Sequence, residues 1–457
     1  MQKPTLSSAT TIAAPASGSG GAIALIRLSG PEALSIAESI FSKPLTTAKG
    51  YTAHFGTIAD GERLLDEAIV TVFRAPHSYT GEEMVEISCH GSTYIVQEIL
   101  GLLVRRGATP AAAGEFTRRA FLNGKLDLSQ AEAVADLIAS ESGAAHRIAL
   151  NQMRGGCAVE LAGLRDKLLH ITSLLELELD FSEEDVEFAD RKELQQLLAD
   201  IQGRCRTLAD SFRTGNILKN GVPVAIVGAP NAGKSTLLNR LIGEERAIVS
   251  EVAGTTRDFI EESIVLEGIR FRFIDTAGLR HTDDRIEALG IERAKERMAR
   301  AQVVLLLIAE PFSAAEVRRQ IAELGLSPEQ QLIVLLNKND IWDTADLAHD
   351  LTGSARVLSL SARTGLGIEE LKQLLSAKFA HRGEADTLIV TNARHYDALL
   401  RADDALARAV AALGNGLPAD LVSEEIRQVL HHLGEITGEI TTDDILGNIF
   451  SKFCIGK

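Results

Sequence analysis

Residues 228–235 read GAPNAGKS and match G-x-x-x-x-G-K-[ST], a loop that wraps nucleotide phosphates. This loop follows the apolar run at residues 222–227 and precedes a helical pattern, which is the order of elements that such a loop requires. Its glycines let backbone N–H groups surround phosphates, Lys234 can reach the β- and γ-phosphates, and the Ser235 hydroxyl can ligate Mg²⁺. Because a chance glycine-rich turn rarely has both flanking elements, the sequence predicts a P-loop NTPase domain.

Three further motifs follow the P-loop, each at the end of an apolar run. Residues 275–278 read DTAG, where the acid can hold Mg²⁺ through water and a glycine N–H can meet the γ-phosphate. Residues 337–340 read NKND, whose carboxylate can accept two hydrogen bonds that guanine offers and adenine does not. Residues 361–363 read SAR and are expected to contact the guanine oxygen through their backbone. The motifs therefore predict a site that binds GTP rather than ATP, with contacts from Asn231, Ala232, Gly233, Lys234, Ser235, Thr236, Thr256, Asp275, Thr276, Ala277, Gly278, Asn337, Lys338, Asp340, Ser361, Ala362 and Arg363.

The loop at residues 254–258, GTTRD, precedes the DTAG motif, and its Thr256 is expected to complete the Mg²⁺ shell when GTP is bound. After DTAG comes Leu279, which cannot orient water as a glutamine does in Ras-type enzymes, so hydrolysis needs another group. Glu287 is one candidate, although position alone favours a solvated acid on a helix face. Asn231 is a second candidate, as a ligand of a monovalent cation that replaces an arginine finger.

The hydrophobic pattern divides the chain into four segments. Residues 1–121 alternate strands and helices, with a hairpin turn at Asp60 and Gly61, and predict an α+β domain. Apolar residues recur every three or four positions in residues 122–219 and again in residues 382–457, which predicts one helical domain in two parts. Short β runs alternate with helices in residues 220–381, which predicts an inserted α/β domain with a parallel sheet.

Composition restricts the cellular setting of the protein. The 457 residues carry a formal net charge of −16, which argues against a protein built only to grip nucleic acid, so a partner or a local patch must contact any bound RNA. No apolar run approaches the roughly 20 residues of a membrane span, and no secretion signal is present, which predicts a cytoplasmic protein. Four scattered cysteines without a C-x-x-C pair argue against a zinc site or a disulfide framework.

These motifs, with two more outside the P-loop region, resemble those of one family, the bacterial tRNA uridine-5-carboxymethylaminomethyl modification GTPases called MnmE or TrmE. Within the region the marks are Asn231 of the P-loop, GTTRD, DTAGLR at residues 275–280 and NKND. Outside it they are GEFTRRAFLNGKLD at residues 114–127 and FCIGK at residues 453–457, which other GTPases lack. The resemblance covers essentially the whole chain.

The resemblance implies a set of ligands and site residues. The N-terminal domain would be like the folate-binding aminomethyltransferases, would dimerise, and would bind 5-formyl- or 5,10-methylene-tetrahydrofolate through Arg27, Glu82, Lys125 and Lys457. Dimerisation of the GTPase domains would depend on K⁺ held by Asn231, Ser250, Val252 and Thr255, of which Ser250 and Thr255 would also belong to the GTP-binding set. Glu287 matches the catalytic glutamate of the family, and Cys454 matches the terminal cysteine that modification needs.

The resemblance also implies a reaction. A homodimer of this chain would form a heterotetramer with an FAD-binding partner, MnmG or GidA, and modify C5 of the wobble uridine of certain tRNAs with a carboxymethylaminomethyl or aminomethyl group. Folate would supply the one-carbon unit, and GTP hydrolysis would switch the dimer between open and closed forms. Two alternatives stay open: a regulatory GTPase of ribosome assembly without modification chemistry, and a nucleotide-stabilised scaffold without turnover. The FCIGK tail and the folate motifs favour the modification enzyme.

Overall fold

The structure, a computed structural model, describes residues 10–18, 20–180, 191–244, 262–274, 298–351, 355–380 and 388–456. The chain forms two compact units. The first unit comprises Met1–Ile138, Leu150–Arg206 and Asp397–Lys457, and the second comprises Ala139–Ala149 and Thr207–Tyr396. Within the part of the chain that the structure describes, no helix has both the length and the apolar character that crossing a membrane requires.

Both units contain strands as well as helices. The strands are β1 (Ile12–Pro15), β2 (Ile23–Ser29), β3 (Thr52–Asp60), β4 (Arg63–Phe73), β5 (Met84–His90), β6 (Thr109–Pro110), β7 (Val222–Gly228), β8 (Glu262–Leu266), β9 (Ile269–Phe273), β10 (Val303–Ile308), β11 (Gln331–Leu336) and β12 (Arg356–Ser359). The helices are α1 (Ala33–Glu38), α2 (Thr93–Arg105), α3 (Glu115–Leu122), α4 (Leu128–Ile138), α5 (Gly143–Met153), α6 (Gly156–Asp180), α7 (Arg191–Asn220), α8 (Lys234–Glu244), α9 (Ala314–Glu323), α10 (Ala345–Asp350), α11 (Ile368–Ala380), α12 (Ala393–Gly414), α13 (Ala419–Thr437) and α14 (Asp443–Phe450).

The first unit contains a six-stranded sheet with the order β3-β4-β5-β2-β1-β6, which we call the N-terminal sheet. Its neighbouring strands are antiparallel, except that β1 and β6 are parallel. The predicted hairpin is confirmed, since β3 and β4 pair up to Asp60 and Arg63, and Gly61 supplies the turn with a φ of 63°. Helices α1 and α2 cover one face of this sheet, against Ile26 and Leu28 of β2. Alternation along β2 therefore directs its polar residues to the other face.

The helices of the first unit come from two distant parts of the sequence. Helix α6 buries leucine and isoleucine residues at the predicted spacing of three and four. It packs against α13, where Arg165 donates to the Leu430 carbonyl at 3.2 Å and pairs with Glu439 at 2.5 Å. The two stretches of helical pattern are therefore neighbours in space, although the whole second unit except its short first segment lies between them in the sequence.

The second unit contains a six-stranded sheet with the order β12-β11-β10-β7-β9-β8, which we call the P-loop sheet. Its strands pair in parallel except for β8 and β9, which form an antiparallel hairpin. The turn consists of Glu267 and Gly268, with φ values of 48° and 77°. Strand β8 is not among the elements predicted from the sequence, because Glu-Gly is a weaker hairpin signal than Asn-Gly or Asp-Gly.

Residues Ala139–Ala149 contribute to the second unit, although their helical pattern resembles that of the first. The Ala144 side chain lies in the same apolar cluster as β7 and β9, and its backbone N–H donates to the Gly268 carbonyl at 2.9 Å. Glu141 pairs with Arg270 of β9 at 2.9 Å. With a mostly antiparallel sheet in the first unit, a mostly parallel sheet in the second, and helices in both, the predicted multidomain class of α+β and α/β parts is confirmed.

Candidate functional site

The P-loop connects β7 to α8 and needs its glycines. Gly228 has a φ of 152°, and a Cβ there would lie 2.5 Å from the Leu307 carbonyl oxygen. Gly233 has a φ of 96°, and a Cβ there would lie 2.4 Å from Nδ2 of Asn337. Side chains at these two positions would therefore clash with β10 and with Asn337, so the two glycines allow the loop its close packing and leave its N–H groups able to bind phosphate oxygens.

Lys234 begins α8 and points back over the loop. Its Nζ donates to the carbonyl oxygens of Gly228 at 2.8 Å and Ala229 at 2.7 Å. Burial lowers the pKa of Lys234, because the ammonium group loses water. Ser235 and Thr236 follow in the first helical turn, half-buried and exposed respectively. The ammonium group and the Ser235 hydroxyl are thus at the same end of α8, as binding a phosphate with its metal ion requires.

Asn337 connects the P-loop to the SAR loop. It follows β11 and is 2% exposed. Its Nδ2 donates to the Ala232 carbonyl at 2.7 Å, and its Oδ1 accepts from the Ala362 N–H at 2.9 Å. Trp342 donates its indole N–H to the Asn337 carbonyl at 2.8 Å. The first residue of NKND therefore fixes two loops that the sequence assigns to phosphate and base.

The Asp340 carboxylate is held by the SAR loop. Ser361 Oγ donates to its Oδ1 at 2.7 Å, and the Arg363 guanidinium pairs with its Oδ2. The hydrogen bond from Ser361 is the main cause that lowers the pKa of Asp340, and the Arg363 guanidinium acts in the same direction. Lys338 adopts a φ of 63°, which turns the chain between the buried strand and this carboxylate. An ionised carboxylate at this place can accept hydrogen bonds from two N–H groups of guanine.

Some predicted site residues lie outside the described residues. These are Ser250, Val252, Thr255, Thr256, Asp275, Thr276, Ala277, Gly278, Glu287 and Lys457, and Leu279 also lies outside the described residues. Of the predicted GTP site, the described residues of the P-loop, NKND and the SAR loop come together within the second unit.

A second group of predicted residues lies in the first unit, where the C-terminal tail meets the N-terminal sheet. Ile455 forms an antiparallel bridge with Ala113, and the Gly114 N–H donates to the Cys454 carbonyl at 3.4 Å. Gly456 has a φ of 93°, and a Cβ there would lie 1.9 Å from the Pro15 carbonyl oxygen. The tail thus packs backbone to backbone, and the thiol-bearing residue Cys454 is exposed.

Arg27 lies where the tail ends. It donates to Glu86 Oε1 through Nε at 2.9 Å and NH2 at 2.7 Å, and to the Gly456 carbonyl through NH1 at 3.4 Å. Its guanidinium carbon is 5.2 Å from the centre of the Tyr79 ring and 5.6 Å from that of Phe116. Burial raises the pKa of Tyr79. The result is a cation between two aromatic rings beside the last residues of the tail.

Glu82 is part of a largely buried polar network on the same face of the N-terminal sheet as Arg27. It accepts from Ser29 Oγ at 2.7 Å and from Arg119 NH1 at 3.2 Å, and Ser29 also meets Thr80 Oγ1 at 2.6 Å. The Arg119 side chain is only 6% exposed. Since the Ser29 hydroxyl and the Arg119 guanidinium both donate to it, the Glu82 carboxylate is fixed in position.

Lys125 lies near this network and reaches solvent. Its Nζ donates to the Pro76 carbonyl at 3.1 Å, and a Cβ on Gly81 would lie 3.3 Å from its Cγ. Arg119 and Glu86 are not among the site residues predicted from the sequence. Arg119 lies inside the GEFTRRAFLNGKLD motif, and the signal available for it is Glu115 one helical turn earlier, with which it pairs at 2.9 Å.

The chain has a P-loop between β7 and α8, with NKND and SAR at the ends of two neighbouring strands. These features define a P-loop nucleotide-binding protein, which also has an N-terminal α+β region and a helical region. The family model "MnmE helical domain" matches residues 128–454, and "GTP-binding protein TrmE N-terminus" matches residues 11–125. The chain belongs to the MnmE (TrmE) family, which confirms the resemblance seen in its motifs.

Close relatives span the same length as this chain. A protein of Christiangramia forsetii is 52% identical and matches 98% of this chain and 99% of its own length. Relatives in Flavobacterium psychrophilum and Cytophaga hutchinsonii are 51% and 53% identical, each over 98% of this chain and 99% and 98% of their own lengths. All three are named tRNA modification GTPase MnmE. The predictions of a GTPase and of a role in tRNA modification are thereby confirmed.

Proposed function

We propose that this protein is a GTP-hydrolysing enzyme that modifies C5 of the wobble uridine in certain tRNAs with a carboxymethylaminomethyl or aminomethyl group. It does so with an FAD-binding partner of the MnmG (GidA) type and a one-carbon unit from tetrahydrofolate. The observation that carries the proposal is the docked tail, which brings the exposed Cys454 and the Gly456 carbonyl to the polar face of the N-terminal sheet. A GTPase that acted only as a regulator of ribosome assembly would not need this arrangement.

Each loop of the GTP site binds a different part of the nucleotide. The P-loop amides and Lys234 bind the β- and γ-phosphates, and Asp340 reads guanine through its N–H groups. The P-loop, in which neither Gly228 nor Gly233 has room for a Cβ, and the half-buried residue Ser235 fit a phosphate accompanied by Mg²⁺, with Ser235 and Thr256 as the residues that would hold the ion. Mg²⁺, when bound, neutralises charge that develops on the phosphate oxygens.

Hydrolysis depends on residues that replace the usual glutamine. Glu287 orients the attacking water, directly or through a second water, because Leu279 has no polar group to do so. K⁺, when bound by Asn231, Ser250, Thr255 and the Val252 carbonyl, supplies positive charge where an arginine finger acts in other GTPases. Two GTPase domains of a homodimer come together when this site is filled.

Potassium should therefore accelerate GTP hydrolysis relative to sodium at equal ionic strength. Glu287→Ala should lower kcat by about 100-fold or more, which is typical when a group that acts only in the transition state is lost. GTP binding should persist in this variant, as measured by titration calorimetry beside the phosphate-release rate. Glu323→Ala, which removes an exposed acid of α9, is the matched control. Equal slow rates in KCl and NaCl, or wild-type turnover of Glu287→Ala, would contradict the mechanism.

Asp340→Asn should weaken GTP binding by about 10- to 100-fold and reduce the preference for GTP over ATP, since an amide cannot accept both guanine hydrogen bonds. The measurement is the dissociation constant of each nucleotide for the full-length variant. Asp343→Asn changes an exposed acid three positions later and should keep wild-type selectivity. Retained selectivity in Asp340→Asn would remove the assigned role.

The N-terminal region is the place where 5-formyl- or 5,10-methylene-tetrahydrofolate would bind. Arg27, with its two aromatic neighbours, and the fixed carboxylate of Glu82 fit a flat heterocycle that carries N–H groups. Lys125 and Lys457 are cations that suit the carboxylates of the folate glutamyl tail. Cys454 is the candidate catalytic residue of this site, because its side chain is exposed where the tail docks.

The proposed assembly is a homodimer that joins the MnmG-type partner in a heterotetramer in the cytoplasm. The partner carries the FAD and much of the positive surface that binds tRNA. The net charge of −16 of this chain supports that division, since phosphate backbones are bound by clustered Lys and Arg.

A further inference from the structure

Arg240 lies on α8, less than two helical turns after Lys234, and reaches a loop more than a hundred residues further along the chain. Its NH2 donates to the Arg363 carbonyl at 2.6 Å, and its Nε donates to the Ala362 carbonyl at 3.4 Å. The guanidinium also packs against Gly365, where a Cβ would lie 3.6 Å from NH2. Arg240 is half-buried, and its side chain connects α8 to residues 361–367, which we call the base loop.

The base loop is fixed from three directions. Its own backbone closes through the Gly365 N–H to the Ser361 carbonyl at 2.9 Å and the Ser361 N–H to the Leu366 carbonyl at 3.0 Å. From the end of β11, Asn337 binds the N–H of Ala362. From α8, Arg240 binds the carbonyl of that same residue and the next one. Asn337 and Arg240 therefore hold the Ala362 peptide groups from their donor and acceptor sides.

The position of the base loop matters because its side chains hold Asp340. Ser361 and Arg363 both contact that carboxylate, and both belong to the stretch that Arg240 restrains. A displaced loop would leave Asp340 without a fixed direction for its lone pairs. The planar, five-donor guanidinium can bind two carbonyls at once, which a lysine ammonium on a flexible stem does less well.

We propose that Arg240 is a positioning residue for guanine recognition: it ties the base loop to the P-loop helix, so that Asp340 is aimed at the base while Lys234 holds the phosphates. This inference rests on the proposed GTP binding. Arg240 is not one of the predicted GTP-binding residues and would act through the base loop, so its effect should depend on how many hydrogen bonds the base makes with Asp340. Inosine diphosphate, which lacks the 2-amino group of guanine, makes fewer of them.

The test compares the dissociation constants of GDP and inosine diphosphate for full-length wild type, Arg240→Ala and Arg240→Lys. Arg240→Ala should weaken GDP binding by about 5- to 30-fold and inosine diphosphate binding much less, as expected when charge-assisted hydrogen bonds lose their geometry. The preference for GDP over inosine diphosphate, measured as the ratio of their dissociation constants, should therefore decrease, and Arg240→Lys should restore part of that preference. The matched control is Arg318→Ala, which removes a bond from an exposed guanidinium to the Asp350 carbonyl in the same unit.

Three outcomes separate the possibilities, with thermal unfolding recorded for each variant. If the ratio of the GDP and inosine diphosphate dissociation constants is unchanged in Arg240→Ala, the proposal is overturned. This holds when both affinities stay at their wild-type values, and also when both affinities fall equally and the melting temperature falls with them. A narrowed ratio with partial rescue by lysine supports it. Wild-type protein that binds neither nucleotide would refute the proposed GTP site itself and, with it, this inference.

Discussion

Lys234→Ala is expected to lower kcat/KM for GTP by about 100- to 1,000-fold or more, because the loss of one preorganised charge at a phosphoryl-transfer site has an effect of this size. The Lys234 Nζ donates to two P-loop carbonyls, that of Gly228 at 2.8 Å and that of Ala229 at 2.7 Å. Its pKa is lowered by burial, so a phosphate oxygen would stabilise its charged form strongly. Lys234 contributes to the binding of GTP, and it contributes more to stabilising the transition state, in which negative charge develops on the transferred phosphoryl group.

The fold should survive this substitution, since the lysine ammonium donates to two loop carbonyls within the part of the chain that the structure describes, and alanine is a good helix former at the start of α8. Circular dichroism and thermal unfolding check that point beside single-turnover hydrolysis. Lys378→Ala is a suitable control, because it removes a cation that lies over Phe379 in the same unit. Hydrolysis by Lys234→Ala within a few-fold of wild type would show that the P-loop is not the catalytic phosphate site.

Gly456→Ala is expected to release the C-terminal tail and to weaken folate binding by at least about tenfold, while GTP hydrolysis in the other unit continues. The new Cβ would lie 1.9 Å from the Pro15 carbonyl oxygen, and the φ of 93° disfavours any side chain. The tail must therefore shift, and the Arg27 contact with the Gly456 carbonyl is lost. The loss of fixed groups around a ligand of this size is worth a factor of ten or more in affinity.

Binding of 5-formyltetrahydrofolate to the full-length protein, to Gly456→Ala and to a chain without residues 453–457 measures this effect. Gly447→Ala is the matched control, since a Cβ at Gly447 in α14 meets no atom within 4 Å. Wild-type affinity in the shortened chain would remove the tail from the folate site. No binding by the wild-type protein would refute the folate reaction and favour a regulatory GTPase of ribosome assembly.

Local sequence patterns predicted the parts of the GTP site that depend on neighbours in the chain. The P-loop, NKND and SAR each lie at the end of a strand, and a strand followed by a glycine-rich turn and a helix is readable from a few consecutive residues. The hairpin at Gly61 was predicted for the same reason. The carboxyl ends of parallel strands meet at one edge of a sheet, so the order of the motifs was enough to group them.

Contacts between distant segments could not be predicted in this way. Arg240 has the pattern of a solvated helix residue, and only the fold brings it to the Ala362 and Arg363 carbonyls. Likewise, the helical pattern near Ala144 does not reveal which sheet it packs on, and its contact with Gly268 assigns it to the second unit. Arg119 reads as one of two adjacent cations in the sequence, yet the fold buries it in an ion pair with Glu82, one of the residues proposed to bind folate.

Analysis of wobble-uridine nucleosides by mass spectrometry is the most direct measurement of the proposed activity. Total tRNA would be taken from cells that lack this protein and from the same cells complemented with wild type, Lys234→Ala or Gly456→Ala. The proposed function predicts that the carboxymethylaminomethyl or aminomethyl group at C5 is absent without the protein, returns with wild type, and fails to return with either variant. Unchanged C5 modification in cells that lack the protein would contradict it.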